Sequence, residues 1–347
     1  MSVTMRDIAK KLNISHTTVS RALRGDRRIS EATRARVQAV AEEMGYRVNV
    51  AARALSSKRM CSIALVVPDV LDPFYAGIIA GVDEVTRRNG YSLLLYISHS
   101  DPQREASALA EATEGRYDGT IFFRRMLPAG DLQAAIDSGV PMVLLTRHEP
   151  ALVVDCVRVD DVDGGYRATT FLIGLGHRRI GFIGGPSDQH ETQDRFAGYK
   201  KALRAHGLYP HPDWIWPGGF SESDGRQAAE AMVQLPEDDR PTAVFAANDR
   251  MAIGLIYRLS ELGLSVPQHV SVIGYDDIEP CDYVVPKLTT VRQPTHEMGA
   301  RAAELLIRRL RGERSEPQEV VLKTELVVRD SCALAVETQG AGLASGR

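Results

Sequence analysis

A stretch near the N-terminus, residues 15–25, combines hydroxyl, imidazole and guanidinium side chains at the spacing of one short helix. Ser15 is a suitable N-cap, and Val19, Ala22 and Leu23 would form the buried stripe. The opposite stripe then carries the hydrogen-bonding residues His16, Thr17, Ser20 and Arg21. Such groups bind base edges and phosphates, and an arginine can bind a guanine through two hydrogen bonds. The stretch predicts a contact with nucleic acid; an ordinary solvated helix face is the alternative.

A second set of polar and aromatic residues follows apolar, strand-like runs further along the chain. In open α/β sheets, ligands bind beyond the carboxyl ends of the strands. A charged side chain that pairs with hydroxyl groups beside an aromatic face is a common way to hold a sugar. These positions therefore predict a small-molecule pocket, and its candidate residues are Asp72, Phe74, Tyr75, Arg124, Arg147, Arg195, Phe220, Asn248 and Asp276.

The helix at residues 15–25 needs neighbours to hold it, and the flanking sequence supplies two. Thr4 is a suitable N-cap for a first helix, with Asp7 three residues later in a near capping box. Ser30 can cap a third helix, which Gly45 would end. Two helices joined by a tight turn and braced by a third make a helix-turn-helix.

Charge separates this head from the rest of the chain. The sequence has 42 Lys and Arg against 45 Asp and Glu, for a net charge of −3. Residues 4–59 alone hold 13 basic and 5 acidic residues, so the remainder carries 29 basic and 40 acidic residues. A basic head on an acidic body points to a polyanion as the partner of the head.

Residues 49–57 could form one more helix after the head. Asn49 is a possible N-cap, and Leu55 would be exposed close to Arg53 and Lys58. A helix of about eight residues is marginal alone and needs a partner. A leucine that wedges into a minor-groove base step, with basic side chains on nearby phosphates, is one such use. A flexible basic linker is the alternative.

From residue 61 onward, short apolar runs alternate with amphipathic helical stretches. Strand-like runs occupy residues 63–67, 93–97, 119–123 and 142–145, and the alternation resumes at 179–183, 243–246 and 270–274. This order predicts parallel, doubly wound sheets in two similar halves with a ligand cleft between them. A final helix and a strand near residues 319–328 follow. The predicted fold class is α/β, with an N-terminal all-α helix-turn-helix head.

The sequence resembles the LacI/GalR family of bacterial transcription regulators over about residues 4 to 330. The motifs that carry the resemblance occur in the family's order: TMRDIAKKLNISHTTVSRAL, NVAARALSS, SIALVVPDVLDPFY, LGHRRIGFIGG, PTAVFAANDRMAIG, VSVIGYDD and LTTVRQP. Membership implies a repressor whose two subdomains are of the periplasmic-binding-protein type. It also implies that a small-molecule effector in the cleft controls binding to a pseudopalindromic operator.

The resemblance gives several residues a role on DNA. It implies that His16, Thr17 and Arg21 contact bases and that Ser15 and Thr18 lie nearer the phosphates. Leu55 matches the family's intercalating hinge leucine, while Val48 stands where the family usually has proline. Proline restricts the backbone angle φ to a narrow range, and valine does not. The hinge would therefore be more flexible before DNA binding. The full set of DNA-binding candidates is Thr4, Ser15, His16, Thr17, Thr18, Ser20, Arg21, Asn49, Arg53 and Leu55.

The resemblance also implies a domain layout with three crossings between the halves, near residues 161–164, 290–292 and 323–325. We expect a DNA-binding domain at residues 1–46 and a hinge at 47–59. The first subdomain would hold 60–161 with 291–323, and the second 162–290 with 324–335. The tail at 336–347 would be disordered. Because that tail lacks the leucine repeat that makes tetramers, a homodimer is expected.

Two departures from the family bear on the ligand. Family members hold ligand hydroxyls at Arg195, Asn248 and Asp276, but Thr146 stands where many relatives have an aspartate. Arg124 and Arg147 could add positive charge beside Arg195, so a sugar acid or sugar phosphate is an alternative to a neutral sugar. Arginines that point to solvent or pair with carboxylates would leave the ligand neutral.

Other classes of protein find little support in the sequence. No apolar run approaches the ~20 residues of a membrane span, and no signal peptide leads the chain. There is no Walker A motif, no G-x-S-x-G and no H-E-x-x-H, and the four cysteines are far apart. We therefore expect a cytoplasmic, nucleoid-associated regulator without cofactor, metal or enzymatic activity. A solute-binding protein and a sugar enzyme remain the alternatives.

Overall fold

Thr4 begins the first helix in the manner that its sequence predicts. Its side-chain oxygen accepts from the backbone N–H of Asp7 at 3.4 Å, and the Asp7 carboxylate accepts from the Thr4 N–H at 2.9 Å. These two bonds complete the predicted capping box. The computed structural model describes residues 3–23, 25–46, 59–123, 126–145 and 152–335, and the chain divides into units Met1–Met60 and Cys61–Arg347.

The described part of the first unit, residues 3–23 and 25–46, forms three short helices around one small core. They are α1 (Met5–Leu12), α2 (His16–Leu23) and α3 (Glu31–Glu43). Ser15 caps α2 by accepting from the Thr18 N–H at 3.0 Å. Of the predicted stripe of α2, Val19 and Ala22 are fully buried and Leu23 is half-buried. The core is completed by Ile8, Ala9, Val37 and Ala41. The predicted helix-turn-helix arrangement is confirmed.

The second unit contains two six-stranded sheets. In the first sheet all neighbouring strands are parallel. Its order is β11-β5-β4-β3-β1-β2. The strands are β1 (Ser62–Val67), β2 (Ser92–Ile97), β3 (Gly119–Phe123), β4 (Met142–Leu145), β5 (Asp155–Val159) and β11 (Glu319–Leu322). Its helices are α4 (Pro73–Arg88), α5 (Pro102–Thr113), α6 (Ala129–Asp137) and α11 (Thr295–Leu310).

The second sheet repeats this plan with one antiparallel edge strand. Its order is β12-β10-β9-β8-β6-β7, and only the β10–β12 pair is antiparallel. The strands are β6 (Ile180–Ile183), β7 (Ile215–Trp216), β8 (Ala243–Ala246), β9 (Ser271–Asp276), β10 (Thr289–Arg292) and β12 (Glu325–Val327). The helices are α7 (Asp161–Gly174), α8 (His190–Ala205), α9 (Glu222–Gln234) and α10 (Asp249–Glu261).

The chain passes between the two sheets three times. It does so between β5 and α7, between β10 and α11, and between β11 and β12. The second passage, predicted near residues 290–292, comes directly after them, because those residues complete β10 of the second sheet. The prediction of a single strand near residues 319–328 is wrong. Lys323 and Thr324 interrupt it, and its two parts pair with different sheets.

Two helix pairs of the second sheet pack so closely that only glycine fits at their crossings. A Cβ at Gly198 of α8 would lie 2.2 Å from the Val162 carbonyl of α7. A Cβ at Gly254 of α10 would lie 2.0 Å from the Glu222 carbonyl of α9. Because real Cβ atoms never approach other heavy atoms this closely, these crossings depend on glycine. They fix α7 against α8 and α9 against α10, and the polar ends of these helices line the cleft described below.

Candidate ligand cleft and nucleic-acid surface

One cavity lies between the carboxyl ends of the strands of the two sheets. Seven of the nine pocket residues predicted from the sequence line it, and the other two, Arg124 and Arg147, lie outside the described residues. Four further lining residues were not predicted. The lining residues are Asp72, Phe74, Tyr75, Phe123, Asp161, Glu191, Arg195, Phe220, Asn248, Asp276 and Gln293.

The missed lining residues obey the same positional rule as the predicted ones. Phe123 ends β3, Asp161 follows β5 and Gln293 follows β10. The rule of reading just past each strand would have found Asp161 and Gln293, had β5 and β10 been recognised as strands. Glu191 lies one turn before Arg195 on α8, and residues four apart on a helix share a face. The spacing from Arg195 could therefore have indicated that Glu191 also lines the cleft.

Arg195 is buried at the centre of this cleft. Its Nε donates to Asp161 Oδ1 at 2.8 Å, and its Nη1 donates to the Ala247 carbonyl at 2.6 Å. The same Nη1 lies 3.6 Å from Asp276 Oδ1, and the guanidinium stacks 3.9 Å from the centroid of the Tyr275 ring. Three kinds of contact therefore fix the direction of this side chain. A group held so firmly can orient a ligand without first losing side-chain entropy.

Burial opposes charge throughout this cluster. It raises the pKa of Asp161, while the Arg195 guanidinium acts to lower it. Burial also raises the pKa of Asp276 well above its usual value, and Arg195 again opposes that effect. Burial alone would lower the pKa of Arg195, but Asp161 and Asp276 outweigh it and the pKa is raised. Arg195 therefore stays protonated, and its charge is matched locally by carboxylates.

Hydrogen bonds inside the protein fix two further polar groups of the cleft. The Asn248 carbonyl oxygen accepts from the Met251 N–H at 2.9 Å, which caps α10, and its amide donates to the Phe220 carbonyl at 3.0 Å. The Gln293 amide donates to Asp276 Oδ1 at 2.7 Å. These hydrogen bonds leave acceptor capacity on carboxylate and carbonyl oxygens, which a ligand hydroxyl can use.

Aromatic rings form the apolar walls on both sides of the cleft. On the first side, Phe74, Tyr75 and Phe123 meet edge to face, with centroids 5.1 to 6.2 Å apart. On the second side, Phe220 has a φ of 69° and its ring lies against Gly185. A Cβ at Gly185 would come within 2.2 Å of that ring, so the Gly184–Gly185 turn makes room for an aromatic wall.

Together these groups suit a small molecule with several hydroxyl groups and an apolar face. Carboxylate, amide and guanidinium groups can form directional bonds at the centre, and aromatic rings flank them. Within the described ranges, no group of three or more His, Cys, Asp and Glu side chains is placed to hold a metal ion. No helix among the described residues is long and apolar enough to cross a membrane.

The exposed face of α2 carries the DNA-binding candidates of the first unit. His16, Thr17 and Arg21 are exposed, while Thr18 and Ser20 are half-buried. Ser15 Oγ lies 2.7 Å from Thr17 Oγ1 and 2.8 Å from Thr18 Oγ1, which draws three hydroxyls together at the N-terminus of the helix. That end of a helix favours anions such as phosphate.

The remaining DNA-binding candidates differ in where they lie. Thr4 is exposed, but its hydroxyl donates to Asp7 Oδ2 at 2.7 Å as part of the capping box. Its backbone N–H also donates to Asp7 and its carbonyl accepts from the Ile8 N–H, so the second lone pair of the hydroxyl is what remains for another contact. Asn49, Arg53 and Leu55, the hinge candidates, lie outside the described residues, as does Thr146.

Comparison with known proteins agrees with both parts of this arrangement. Residues 4–49 match the model for bacterial regulatory proteins of the lacI family, and residues 169–332 match the periplasmic binding protein-like domain. The transcriptional regulator DegA of Bacillus subtilis (strain 168) is 35% identical over 335 residues, which cover 95% of this chain and 98% of DegA.

Two solved structures extend the match over nearly the whole chain. The complex of the transcriptional regulator CelR with cellobiose is 33% identical, covers 95% of this chain and 99% of that one, and superposes with a TM-score of 0.73. The lac repressor dimer bound to operator and the anti-inducer ONPF is 26% identical and has a TM-score of 0.85. The match covers 96% of this chain and 100% of that one. This chain belongs to the lacI family of bacterial regulatory proteins.

Proposed function

We propose that this protein is a sequence-specific transcriptional repressor whose affinity for operator DNA is controlled by a small molecule bound in the cleft. The observation that carries the proposal is the cleft itself. Residues from both sheets meet there around Arg195, so a ligand that bridges them favours one arrangement of the two halves over another. The same chain presents the polar face of α2 to a second partner.

Each head of a dimer reads one half of a pseudopalindromic operator in this proposal. Helix α2 enters the major groove with His16, Thr17 and Arg21 towards the bases, and Ser15 and Thr18 towards the phosphates. Asn49, Arg53 and Leu55 act at the central minor groove, where a flexible pyrimidine–purine step favours a leucine wedge. The dimeric lac repressor on its operator is the structural precedent.

The second copy packs against an apolar edge of the first sheet in this proposal. Strand β2 lies at the end of that sheet, and it exposes Leu94 and Leu95 by 45% and 46%. An exposed apolar edge strand is a liability for a monomer, because it can pair with or pack on other chains. Burying these leucines against their symmetry mates would remove that liability.

The ligand is a sugar or a sugar derivative in this proposal. Asp276, Gln293 and Asn248 offer oxygen and amide groups for hydroxyls, and a known member of the fold holds cellobiose. Arg195 is the only cation among the lining residues that the structure describes, and two carboxylates face it. A neutral sugar therefore suits the described part of the cleft, whereas a sugar acid or sugar phosphate would need Arg124 or Arg147.

The proposed domain layout follows from the same function. The head at residues 1–46 and the hinge at 47–59 bind DNA. The expected layout of residues 60–161 with 291–323 and 162–290 with 324–335 needs one change, because residues 291–292 complete β10 and so belong to the second subdomain. The tail predicted at 336–347 lies outside the described residues. A protein whose operator lies on the chromosome works in the cytoplasm, associated with the nucleoid.

The DNA half of the proposal is tested by selecting binding sites from random duplexes with the full-length protein, then measuring affinity by fluorescence anisotropy. A pseudopalindromic site should emerge, and Arg21→Ala should weaken its binding by about 1–3 kcal/mol. Arg36→Ala, an exposed arginine on α3, is the matched control. Equal binding to all duplexes would contradict sequence specificity, and a protein that binds no duplex would instead be a solute-binding protein without a transcriptional role.

The ligand half is tested by a thermal-shift screen against neutral sugars, sugar acids, sugar phosphates and purines. A ligand of the native state raises the melting temperature by mass action. If a neutral sugar gives the shift and Arg147→Ala leaves it unchanged, the cleft works through Arg195, Asn248 and Asp276. If an anionic sugar gives the shift and Arg147→Ala abolishes it, the charge of Arg147 completes the site.

A further inference from the structure

Arg250 makes ion pairs on both sides of the cleft. On its own side it holds Glu222 with two parallel bonds, from Nε at 2.8 Å and from Nη2 at 2.7 Å. Its Nη1 lies 3.5 Å from Asp72 Oδ2, on the other side. Asp72 follows β1 of the first sheet, whereas Arg250 and Glu222 lie on α10 and α9 beside the second.

A neighbouring arginine shows what Arg250 would do if it only joined two helices. Arg258, two turns further along α10, binds Glu230 of α9 at 3.0 Å and Glu261 at 2.9 Å. Its side chain is 27% exposed, against 26% for Arg250. Both of these partners of Arg258 lie on α9 and α10. The bond to Asp72 is therefore additional to the helix-joining role that both arginines share.

Both ends of the Arg250–Asp72 pair are fixed before they meet. The glycine crossing of α9 and α10 places Glu222 beside Arg250, because a Cβ at Gly254 would lie 2.0 Å from the Glu222 carbonyl. Asp72 caps α4 and accepts from the Phe74 N–H at 3.0 Å. Groups that are already held lose little side-chain entropy on pairing, which is the main cost of a partly exposed ion pair.

The charge arrangement across the cleft gives this pair a specific role. Asp72 lies near enough to Asp276 to raise the pKa of Asp276, in addition to the larger effect of burial. Without Arg250, two carboxylates from opposite walls would face each other in a partly buried space. Like charges at short range oppose closure, and Arg250 neutralises one of them.

We propose that Arg250, anchored by Glu222, is a latch that holds the two walls of the cleft together through Asp72. Of the two residues of the latch, Asp72 lines the cleft and Arg250 does not. The latch sets how often the cleft opens. Only the consequence of the latch for DNA binding rests on the proposed function. Because Asp72 also begins the helix that carries Phe74 and Tyr75, the latch fixes the first aromatic wall when the cleft is closed.

The latch is tested by hydrogen–deuterium exchange on the full-length protein, without DNA or ligand. Arg250→Gln should speed exchange of the peptide at residues 74–82 on the opposite wall by about fivefold. Asp72→Asn, which keeps a capping side chain, should speed exchange at residues 248–255 to a similar extent. The double variant should change neither peptide further, because both substitutions remove the same bond.

Arg258→Gln is the matched control. It also removes two ion pairs, and Arg258 lies on the same helix as Arg250 with a nearly equal exposed fraction. Its effect should stay within residues 222–262. If Arg250→Gln likewise changes exchange only within residues 222–262, or if the effects of Arg250→Gln and Asp72→Asn add in the double variant, the latch does not exist. Neither outcome depends on operator or effector binding, so this test is separate from that of the proposed function.

Discussion

The guanidinium of Arg195 donates to Asp161 and to the Ala247 carbonyl, and it faces Asp276 across 3.6 Å. All three charged side chains are buried or nearly so. A group in this position serves the fold as well as the ligand, because its removal strands two carboxylates in a low-dielectric space. The balance of charges in the cleft is therefore part of the stability of the second subdomain.

Replacing Arg195 with methionine should lower the free energy of unfolding by about 3–5 kcal/mol, the usual cost of breaking a buried ion pair from one side. Chemical denaturation with urea measures the change. Arg301→Met is the control, because Arg301 is half exposed and pairs with Glu297 and Glu304 on the helix surface. Its cost should stay below about 1 kcal/mol. Equal effects from the two variants would contradict the role given to Arg195.

We expect Asp249 to make the stability of the protein depend on pH. It is fully buried, Oδ1 accepts from the Thr290 hydroxyl at 2.5 Å, and Oδ2 accepts from the Ile278 N–H at 3.0 Å. Burial raises the pKa of Asp249 to about 7, against a model-peptide value of 3.8. The native state thus keeps a proton that the unfolded state has lost. This contribution to stability is full below about pH 4 and is lost as the pH rises to about 7.

Asp249→Asn should remove that dependence, because the amide cannot ionise. The free energy of unfolding of the variant minus that of the native protein should rise steadily between about pH 4 and pH 7, then level off. Urea denaturation at unit steps of pH measures it. Any loss of hydrogen bonding adds a constant offset and leaves the slope. A difference that is constant over this range would show that Asp249 is already ionised at low pH.

At the scale of elements, close helix crossings position the polar ends that line the cleft. Gly254→Ala should destabilise the protein by about 1–3 kcal/mol, since the new Cβ would lie 2.0 Å from the Glu222 carbonyl and force α9 away from α10. Gly174→Ala on α7 has open space around its Cβ, and it should stabilise by about 0.5–1 kcal/mol through helix propensity. Thermal unfolding compares them, and a neutral Gly254→Ala would contradict the close crossing.

Apart from the exposed edge strand β2, the strands that the sequence predicts between residues 63 and 274 are those whose burial matches their composition. Strands β1, β3, β4 and β8 are wholly buried apolar runs, and all four were found. Strand β5 was missed because it carries Asp155 and Arg158. Those charges are satisfied by Arg309 at 2.6 Å and Glu319 at 2.5 Å, from residues more than 150 positions away. Local sequence does not reveal such distant compensation.

The same reason explains which part of the site escaped prediction. Arg195 was identified, but its partner Asp161 was not, because the two are 34 residues apart and meet only where α7 crosses α8. That crossing depends on Gly165 and Gly198, whose backbone contacts cannot be read from periodicity. The rule for strand ends therefore found the positions of the cleft, while the pairing of its charges required the packed helices.

At the scale of the whole molecule, the account requires a dimer that presents two heads to one operator. Leu94→Glu should convert the dimer to a monomer, because it places charge in an apolar contact between copies. Light scattering coupled to size exclusion measures the mass. Tyr209→Glu, on a side chain that is 75% exposed in a different part of the second unit, should leave the dimer intact. A dimeric Leu94→Glu would mean that β2 is not part of the interface.

We expect ligand binding in the cleft to be coupled to operator binding, and one titration measures this coupling. Operator affinity of the full-length protein is measured by fluorescence anisotropy, without and with a saturating amount of the sugar that raises the melting temperature. The account predicts a change of about 5- to 150-fold, equivalent to about 1–3 kcal/mol of coupling. An operator affinity that is the same with the cleft empty and full would contradict it.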